Sequence, residues 1–169
     1  MSIERALADT RRRLLEAERV LKVSALHDTV TVEGVGAGGE AIRIRPAASD
    51  VPIVLYSHHA GCALCDPGAR AISGIAEGLD CRLNAYVVSL EDSLRSLQSL
   101  EGSGRMRVVS RARGSAVAVL PIGLPSSLVV LAPGGRLLGW WQGAVEGRVA
   151  NEARATLEEA CQLARLGAG

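Results

Sequence analysis

Two cysteines separated by two residues, Cys62 and Cys65, are the side chains of this sequence best suited to chemistry. They lie at the junction between a predicted strand, residues 51–57, and a predicted helix. Unpaired backbone N–H groups and the positive end of the helix dipole at such a junction favour a thiolate over a thiol. We therefore expect Cys62 to be the nucleophile, and Cys65 to attack the resulting mixed disulfide and release the substrate.

Two histidines, His58 and His59, precede the cysteine pair, and they have three interpretations. In the first, one imidazolium stabilises the Cys62 thiolate. In the second, His59, Cys62 and Cys65 bind a metal, with His58 or Cys81 as the fourth ligand. In the third, they are exposed loop histidines without a chemical role. Zinc sites usually show a second ligand pair at ligand spacing, and because none exists here our prediction includes no metal.

The elements that must position these residues follow a strand–helix–strand–helix order. Residues 51–57 form a nearly continuous apolar run, which is typical of a strand covered on both faces. Apolar residues between 72 and 79 recur at spacings of 3 and 4, which predicts a helix. Residues 82–88 and 90–100 then predict a second strand and a second helix. This order predicts two parallel strands joined by a right-handed crossover.

The last third of the chain predicts a hairpin and a closing helix. Residues 126–132 and 136–141 are strands joined by a turn at 133–135, and residues 148–166 form the helix. Between the two halves, residues 101–114 carry four arginines. We interpret that segment as a solvated loop, and the alternative is docking of an acidic partner or an anion.

The first 50 residues predict a separate extension. Residues 3–22 have heptad-like apolar spacing, which predicts a helix docked on its own domain, with a homodimer through this helix as the alternative. Residues 23–46 predict two strands joined by the glycine-rich connection 34–39. We therefore divide the chain into an extension, residues 1–50, and a main domain, residues 51–169.

Length and composition exclude several classes of protein. The 169 residues include 19 Lys+Arg against 18 Asp+Glu, and this balance argues against a nucleic-acid binder. We expect no membrane span and no targeting segment, and hence a cytoplasmic protein whose thiols are kept reduced. Four cysteines are too few for a disulfide scaffold, and Cys81 and Cys161 are expected to be small buried apolar residues.

Two segments carry a resemblance to a known family. The stretch LYSHHAGCALCD, residues 55–66, resembles the strand, loop and C-x-x-C of small glutaredoxin-like proteins. The stretch GLPSSLVVLAPGG, residues 123–135, resembles the thioredoxin segment in which a cis-proline precedes a strand and faces the cysteines. Residues 51–166 thus resemble the thioredoxin/glutaredoxin-like superfamily, and the first 50 residues do not.

The resemblance implies an α/β, thioredoxin-like three-layer fold with a mixed central sheet, to which the N-terminal helix and hairpin are added. It implies that Pro125 is the cis-proline and that Leu124 and Pro125 shape the substrate groove; Pro121 is a rival for the cis position. It also carries over Gly143 and Ala144, in the stretch QGAV, as part of the rim that faces the substrate.

The function that the resemblance implies is a thiol–disulfide oxidoreductase, with no cofactor beyond a redox-active Cys62–Cys65 disulfide. Its substrate would be a protein disulfide or a small disulfide. Thioredoxins usually have Trp where this chain has Gly61, Gly-Pro at Ala63-Leu64, and a buried Asp at Tyr56 that helps to deprotonate the second cysteine. These departures keep two alternatives open: a non-catalytic interaction or redox-sensing module, and a metal-binding Cys/His site.

Overall fold

The computed structural model describes residues 29–91, 97–98, 100 and 105–167. The strands are β1 (Val32–Val35), β2 (Ala41–Ile44), β3 (Ile53–Ser57), β4 (Asn84–Val88), β5 (Met106–Arg113), β6 (Ser127–Leu131) and β7 (Leu137–Gln142), and the helices are α1 (Cys65–Glu77), α2 (Ser115–Val119) and α3 (Gly147–Gly167). The predicted helix over residues 3–22, and with it the homodimer alternative, lies outside the described residues. So does most of the predicted helix over residues 90–100.

The described strands form one mixed sheet of seven, in the order β2-β1-β5-β4-β3-β6-β7. Strands β3, β4 and β5 run parallel to one another, whereas β6 pairs antiparallel with β3 on one side and with β7 on the other. The predicted parallel pair and the predicted hairpin near the C-terminus are therefore confirmed. The β1–β2 hairpin pairs with β5 and so extends the same sheet, while the division of the chain at residue 50 stays a prediction.

Apolar side chains cover both faces of the sheet, as the three-layer prediction requires. On one face, Val54 and Tyr56 of β3 pack with the buried sides of α1 and α3. On the other face, Ile53 and Leu55 pack with residues of β1, β2 and α2. All five residues of β3 are buried, because this strand lies inside the sheet between β4 and β6. The loop that carries Cys62 follows its C-terminal end.

Residues 106–113 form strand β5, so the prediction of a solvated loop there is wrong. The strand lies between β4 and β1 and buries Val108, while Arg107, Arg111 and Arg113 are exposed. The segment carries the alternation of a half-buried strand, which its high arginine content obscured. Three of the four arginines are therefore exposed side chains of a strand that pairs with a neighbour on each side.

Cys81 and Cys161 were expected to be small buried apolar residues; Cys161 is buried and Cys81 is partly buried, and the disulfide that joins them was not predicted. Cys81 lies between α1 and β4, and Cys161 is a buried residue of α3 that is 4% exposed. Their Cα atoms are 5.7 Å apart, within the usual range for a disulfide. A hydrogen bond of 2.6 Å from the Arg165 guanidinium to the Asp80 carbonyl also joins α3 to this segment.

Candidate redox site

Cys62 and Cys65 are joined by a disulfide at the junction of β3 and α1, and their Cα atoms are 5.4 Å apart. Helix α1 begins at Cys65, three residues after Cys62, so the predicted location of the pair at a strand–helix junction is confirmed. Cys62 is partly exposed, whereas Cys65 is fully buried. Of the two cysteines, Cys62 is therefore the more accessible from solvent.

The turn before the pair explains one departure from the thioredoxin pattern. Gly61 has a φ of +75°, in the left-handed region that a residue with a side chain adopts only under strain. The Cys62 N–H then donates to the His59 carbonyl at 3.3 Å, and the Cys65 N–H to the Cys62 carbonyl at 3.2 Å. These tight turns favour glycine at the position where thioredoxins carry tryptophan.

Ser57 joins the cysteine pair to the Leu124–Pro125 segment, and the sequence prediction missed it. Its carbonyl oxygen lies 3.8 Å from the Cys65 Sγ atom, and its hydroxyl donates to the Leu124 carbonyl. The same hydroxyl accepts the Ser127 N–H at 2.8 Å. The predicted groove residues Leu124 and Pro125 are thus next to the disulfide, and both are exposed. A serine at the end of an apolar run, directly before the cysteine loop, is the signal that sequence reasoning could have used.

The expected cis peptide bond at Pro125 is wrong, because no peptide bond within the described residues is cis. Pro121, the rival position, is also trans, and it begins a 3-10 turn over Pro121–Gly123. Trans is the lower-energy form of a bond to proline. Here the chain enters β6 through Ser126, whose φ of +53° supplies the change of direction.

Tyr56 lies beneath the first turn of α1 and is fully buried. Its hydroxyl is 3.3 Å from the Leu64 carbonyl and 2.9 Å from the Ser126 Oγ atom. Burial raises the pKa of Tyr56; the hydrogen bond with Ser126 opposes this shift and the charge of Asp66 adds to it. Tyr56 therefore remains a neutral phenol and does not accept a proton as a carboxylate would.

Gly143 is joined to the same network through Ser126. The Ser126 hydroxyl donates to the Gly143 carbonyl at 2.8 Å, and the Gly143 N–H donates to the Ser126 carbonyl at 3.0 Å. Gly143 and the following Ala144 are both partly exposed. The structure thus connects Gly143 with the segment around Pro125, and the role of both residues in facing a substrate stays a prediction.

His58 is buried, so the interpretation of both histidines as exposed loop residues is wrong. The residue is 5% exposed, and its Nε2 atom is 2.7 Å from the Asp66 Oδ1 atom. Its other ring nitrogen, Nδ1, is buried and has no hydrogen-bond partner among the described residues. His59 is partly buried. Asp66 was not predicted, because only the tertiary structure brings it to His58.

The arrangement does not support the metal-site alternative. Within the described part of the chain, no three His, Cys, Asp or Glu side chains are grouped so that they could hold a metal ion. Cys81, one of the residues considered as a fourth ligand, is bonded to Cys161.

Two glycines of α1 provide a test of the packing around Tyr56. A Cβ atom at Gly68 would overlap the Tyr56 hydroxyl, whereas at the exposed Gly74 it would meet nothing within 4 Å. We expect Gly68→Ala to lower the free energy of unfolding by about 1–3 kcal/mol through overpacking. Gly74→Ala, the matched control, raises it by about 0.5–1 kcal/mol. Urea unfolding measures both, and equal effects of the two substitutions would contradict the packing described.

No protein-family model matches this sequence, and no curated protein matches it. Solved structures match it at low sequence identity. The DsbF protein of Mycobacterium tuberculosis has 13% identity and a TM-score of 0.62, over 80% of this chain and 98% of that one. A secreted disulfide oxidoreductase of the same organism, homologous to DsbE of Escherichia coli, has 13% identity and a TM-score of 0.59, over 75% and 94%. A peroxiredoxin-like protein of Aquifex aeolicus has 15% identity and a TM-score of 0.59, over 81% and 89%.

Proposed function

On a thioredoxin-like fold with a disulfide at the start of a helix, we propose that this protein is a thiol–disulfide oxidoreductase. In the reducing direction, the Cys62 thiolate attacks a substrate disulfide and forms a mixed disulfide, releasing the first substrate thiolate. Cys65 then attacks the Cys62 Sγ atom, which releases the second substrate thiolate and leaves the Cys62–Cys65 disulfide. The contrast between the partly exposed Cys62 and the buried Cys65 is the observation that carries this proposal.

The Cys62–Cys65 disulfide is itself the proposed electron carrier, with no other cofactor. Leu64 and Leu124 are apolar and exposed, at 46% and 43%, next to the pair. Together with Pro125, Gly143 and Ala144 they form the proposed substrate surface. Exposed leucines beside a reactive disulfide favour the disulfide of a protein over that of a small polar molecule, because they offer apolar area to a polypeptide. The disulfide oxidoreductases among the similar structures support this choice.

Of the two histidines proposed to influence the thiolate, His59 is hydrogen-bonded to Cys62 through its backbone, and His58 is hydrogen-bonded to Asp66 through its ring. The His59 carbonyl accepts the Cys62 N–H at 3.3 Å. A positive charge on the His59 ring would stabilise a Cys62 thiolate in the same way as the helix dipole does.

A redox titration of the Cys62–Cys65 pair tests the proposed function. The protein is equilibrated in thiol–disulfide buffers, alkylated and analysed by mass spectrometry. We expect the pair to change state reversibly between about −270 mV, the value of a reductant, and about −120 mV, the value of an oxidant. The mixed disulfide with a protein substrate is trapped in parallel. A pair that does not cycle and traps no substrate would favour the non-catalytic module.

The cytoplasmic location stays a prediction from the sequence. Within the described residues, no helix has both the length and the apolar character that a membrane crossing requires. The Cys81–Cys161 disulfide weighs against the cytoplasm, because cross-links of this kind persist mainly in oxidising compartments. One of the similar structures is itself described as a secreted protein. Alkylation of free thiols in intact cells, followed by mass spectrometry, would find Cys81 unmodified if the compartment is oxidising.

A further inference from the structure

The resolving step needs a proton acceptor that the site does not supply in the thioredoxin manner. Before Cys65 can attack the mixed disulfide, its thiol must lose a proton. Cys65 is fully buried, so this proton has no direct contact with bulk water. In thioredoxins a buried Asp at this position helps to deprotonate the second cysteine. In this chain the residue at that position is Tyr56. Since burial raises its pKa, Tyr56 keeps its own proton and cannot take another.

His58 and Asp66 form a connection beside Cys65 that reaches the surface. The Ser57 carbonyl oxygen contacts the Cys65 Sγ atom. His58 directly follows Ser57, and Asp66 directly follows Cys65. The His58 Nε2 atom is 2.7 Å from the Asp66 Oδ1 atom. Tyr56 and His58 are two residues apart, and side chains at that spacing leave a strand on the same face, which here is the face that carries α1. The His58 side chain is 6% exposed and that of Asp66 is 53% exposed, so the pair runs from the interior to solvent.

The unpartnered nitrogen of His58 is the second observation. With Nε2 bound to Asp66, the buried Nδ1 atom has no partner among the described residues. A hydrogen bond from Nε2–H to the carboxylate selects the tautomer in which Nδ1 carries no proton. Nδ1 is then a buried base without a hydrogen bond among the described residues, on the residue that directly follows Ser57, whose carbonyl contacts the Cys65 Sγ atom.

We propose that His58 accepts the Cys65 proton in the resolving step and that Asp66 is its positioning residue. This inference rests on the proposed function. The proton passes from the Cys65 thiol to the His58 ring, and the Cys65 thiolate forms a bond with the Cys62 Sγ atom. The bond between Cys62 and the substrate sulfur breaks, and the substrate leaves as a thiolate that takes a proton from water. The ring proton then returns to solvent past the exposed Asp66.

Charged and titratable groups on every neighbouring element bear on the pH dependence. Asp66 lies on α1, and Tyr56 is on β3. His59 lies in the loop, whose Ala60 N–H donates to the Glu91 carboxylate at 3.0 Å. Among these groups, Asp66 is the one whose side chain is hydrogen-bonded to the His58 ring.

The test separates the two chemical steps in rapid-quench experiments with a protein disulfide substrate. We expect His58→Gln, whose amide nitrogen lies where the ring Nε2 atom was, to form the mixed disulfide within about twofold of the wild-type rate. Its decay is slowed about 10²-fold or more, because an amide keeps the hydrogen bond to Asp66 but accepts no proton. The decay of the variant also rises steadily with pH, without the plateau expected of the wild type, because hydroxide must then remove the Cys65 proton. Asp66→Asn gives a smaller slowing of the same step.

If His58 had a purely structural role, its replacement would not change the rate and pH profile of the decay while leaving formation of the mixed disulfide unaffected. In His58→Ala, added imidazole is expected to accelerate the decay of the mixed disulfide, because imidazole supplies a base to the space left by the ring. If the His58 variants do not fold, Asp66→Asn, at a half-exposed position, still gives the rate and the pH profile. Wild-type decay rates in His58→Gln would overturn the inference alone, whereas the absence of a mixed disulfide in the wild type would overturn the proposed function with it.

Discussion

Replacement of Cys62 by serine is expected to abolish electron transfer to a disulfide substrate, by roughly 10³-fold or more. A serine hydroxyl is not ionised at neutral pH, so the partly exposed position 62, three residues before α1, has no nucleophile. Replacement of Cys65 by serine leaves that nucleophile in place but removes the group that resolves the intermediate. The Cys65→Ser protein is therefore expected to accumulate a mixed disulfide between Cys62 and the substrate, visible by mass spectrometry after acid quench.

The second disulfide supplies the matched control for this result. The same chemical change at Cys81 and Cys161 removes a disulfide at the far end of α1, and it is expected to leave the rate of exchange within about twofold, well below the melting temperature. Undiminished activity of Cys62→Ser would refute the mechanism. A mixed disulfide that forms through Cys65 in the absence of Cys62 would reverse the assigned roles.

Replacement of both Cys81 and Cys161 by alanine is expected to lower the free energy of unfolding by about 4 kcal/mol. The bond joins residues 80 positions apart, so in the unfolded chain it closes a long loop and reduces the conformational entropy. For a protein of this length the melting temperature falls by about 10 °C. Scanning calorimetry and guanidinium unfolding of the oxidised proteins measure the two quantities.

Two comparisons separate this stabilisation from a simple loss of packing. Full reduction of the wild type should bring its stability close to that of the double variant, because both then lack the cross-link. Replacement of Cys62 and Cys65 by alanine removes a disulfide whose residues are only 3 positions apart, and it should cost much less. Equal losses from the two pairs would show that Cys81–Cys161 does not act as the cross-link of the fold.

Local sequence pattern predicted most elements of this fold. The apolar run of β3, the spacing of Ile72 and Ile75 in α1 and the turn at Gly134 each depend on residues close together in the chain. Such patterns indicate which face of an element is buried, whatever it packs against. Strand β5 was missed because its exposed arginines dominate the composition, although the alternation was present.

The sequence by itself determined that a cysteine pair lies at a strand–helix junction, since that inference uses only neighbouring residues. Only the tertiary structure decided what surrounds the pair. The contact of Tyr56 with Ser126 spans 70 residues, and the Cys81–Cys161 bond spans 80. His58 and Asp66 are close in sequence, yet they contact each other only because α1, which carries Asp66, packs against β3, which directly precedes His58. No local periodicity encodes such contacts, because they depend on how strands order in the sheet and on which helix packs on which face.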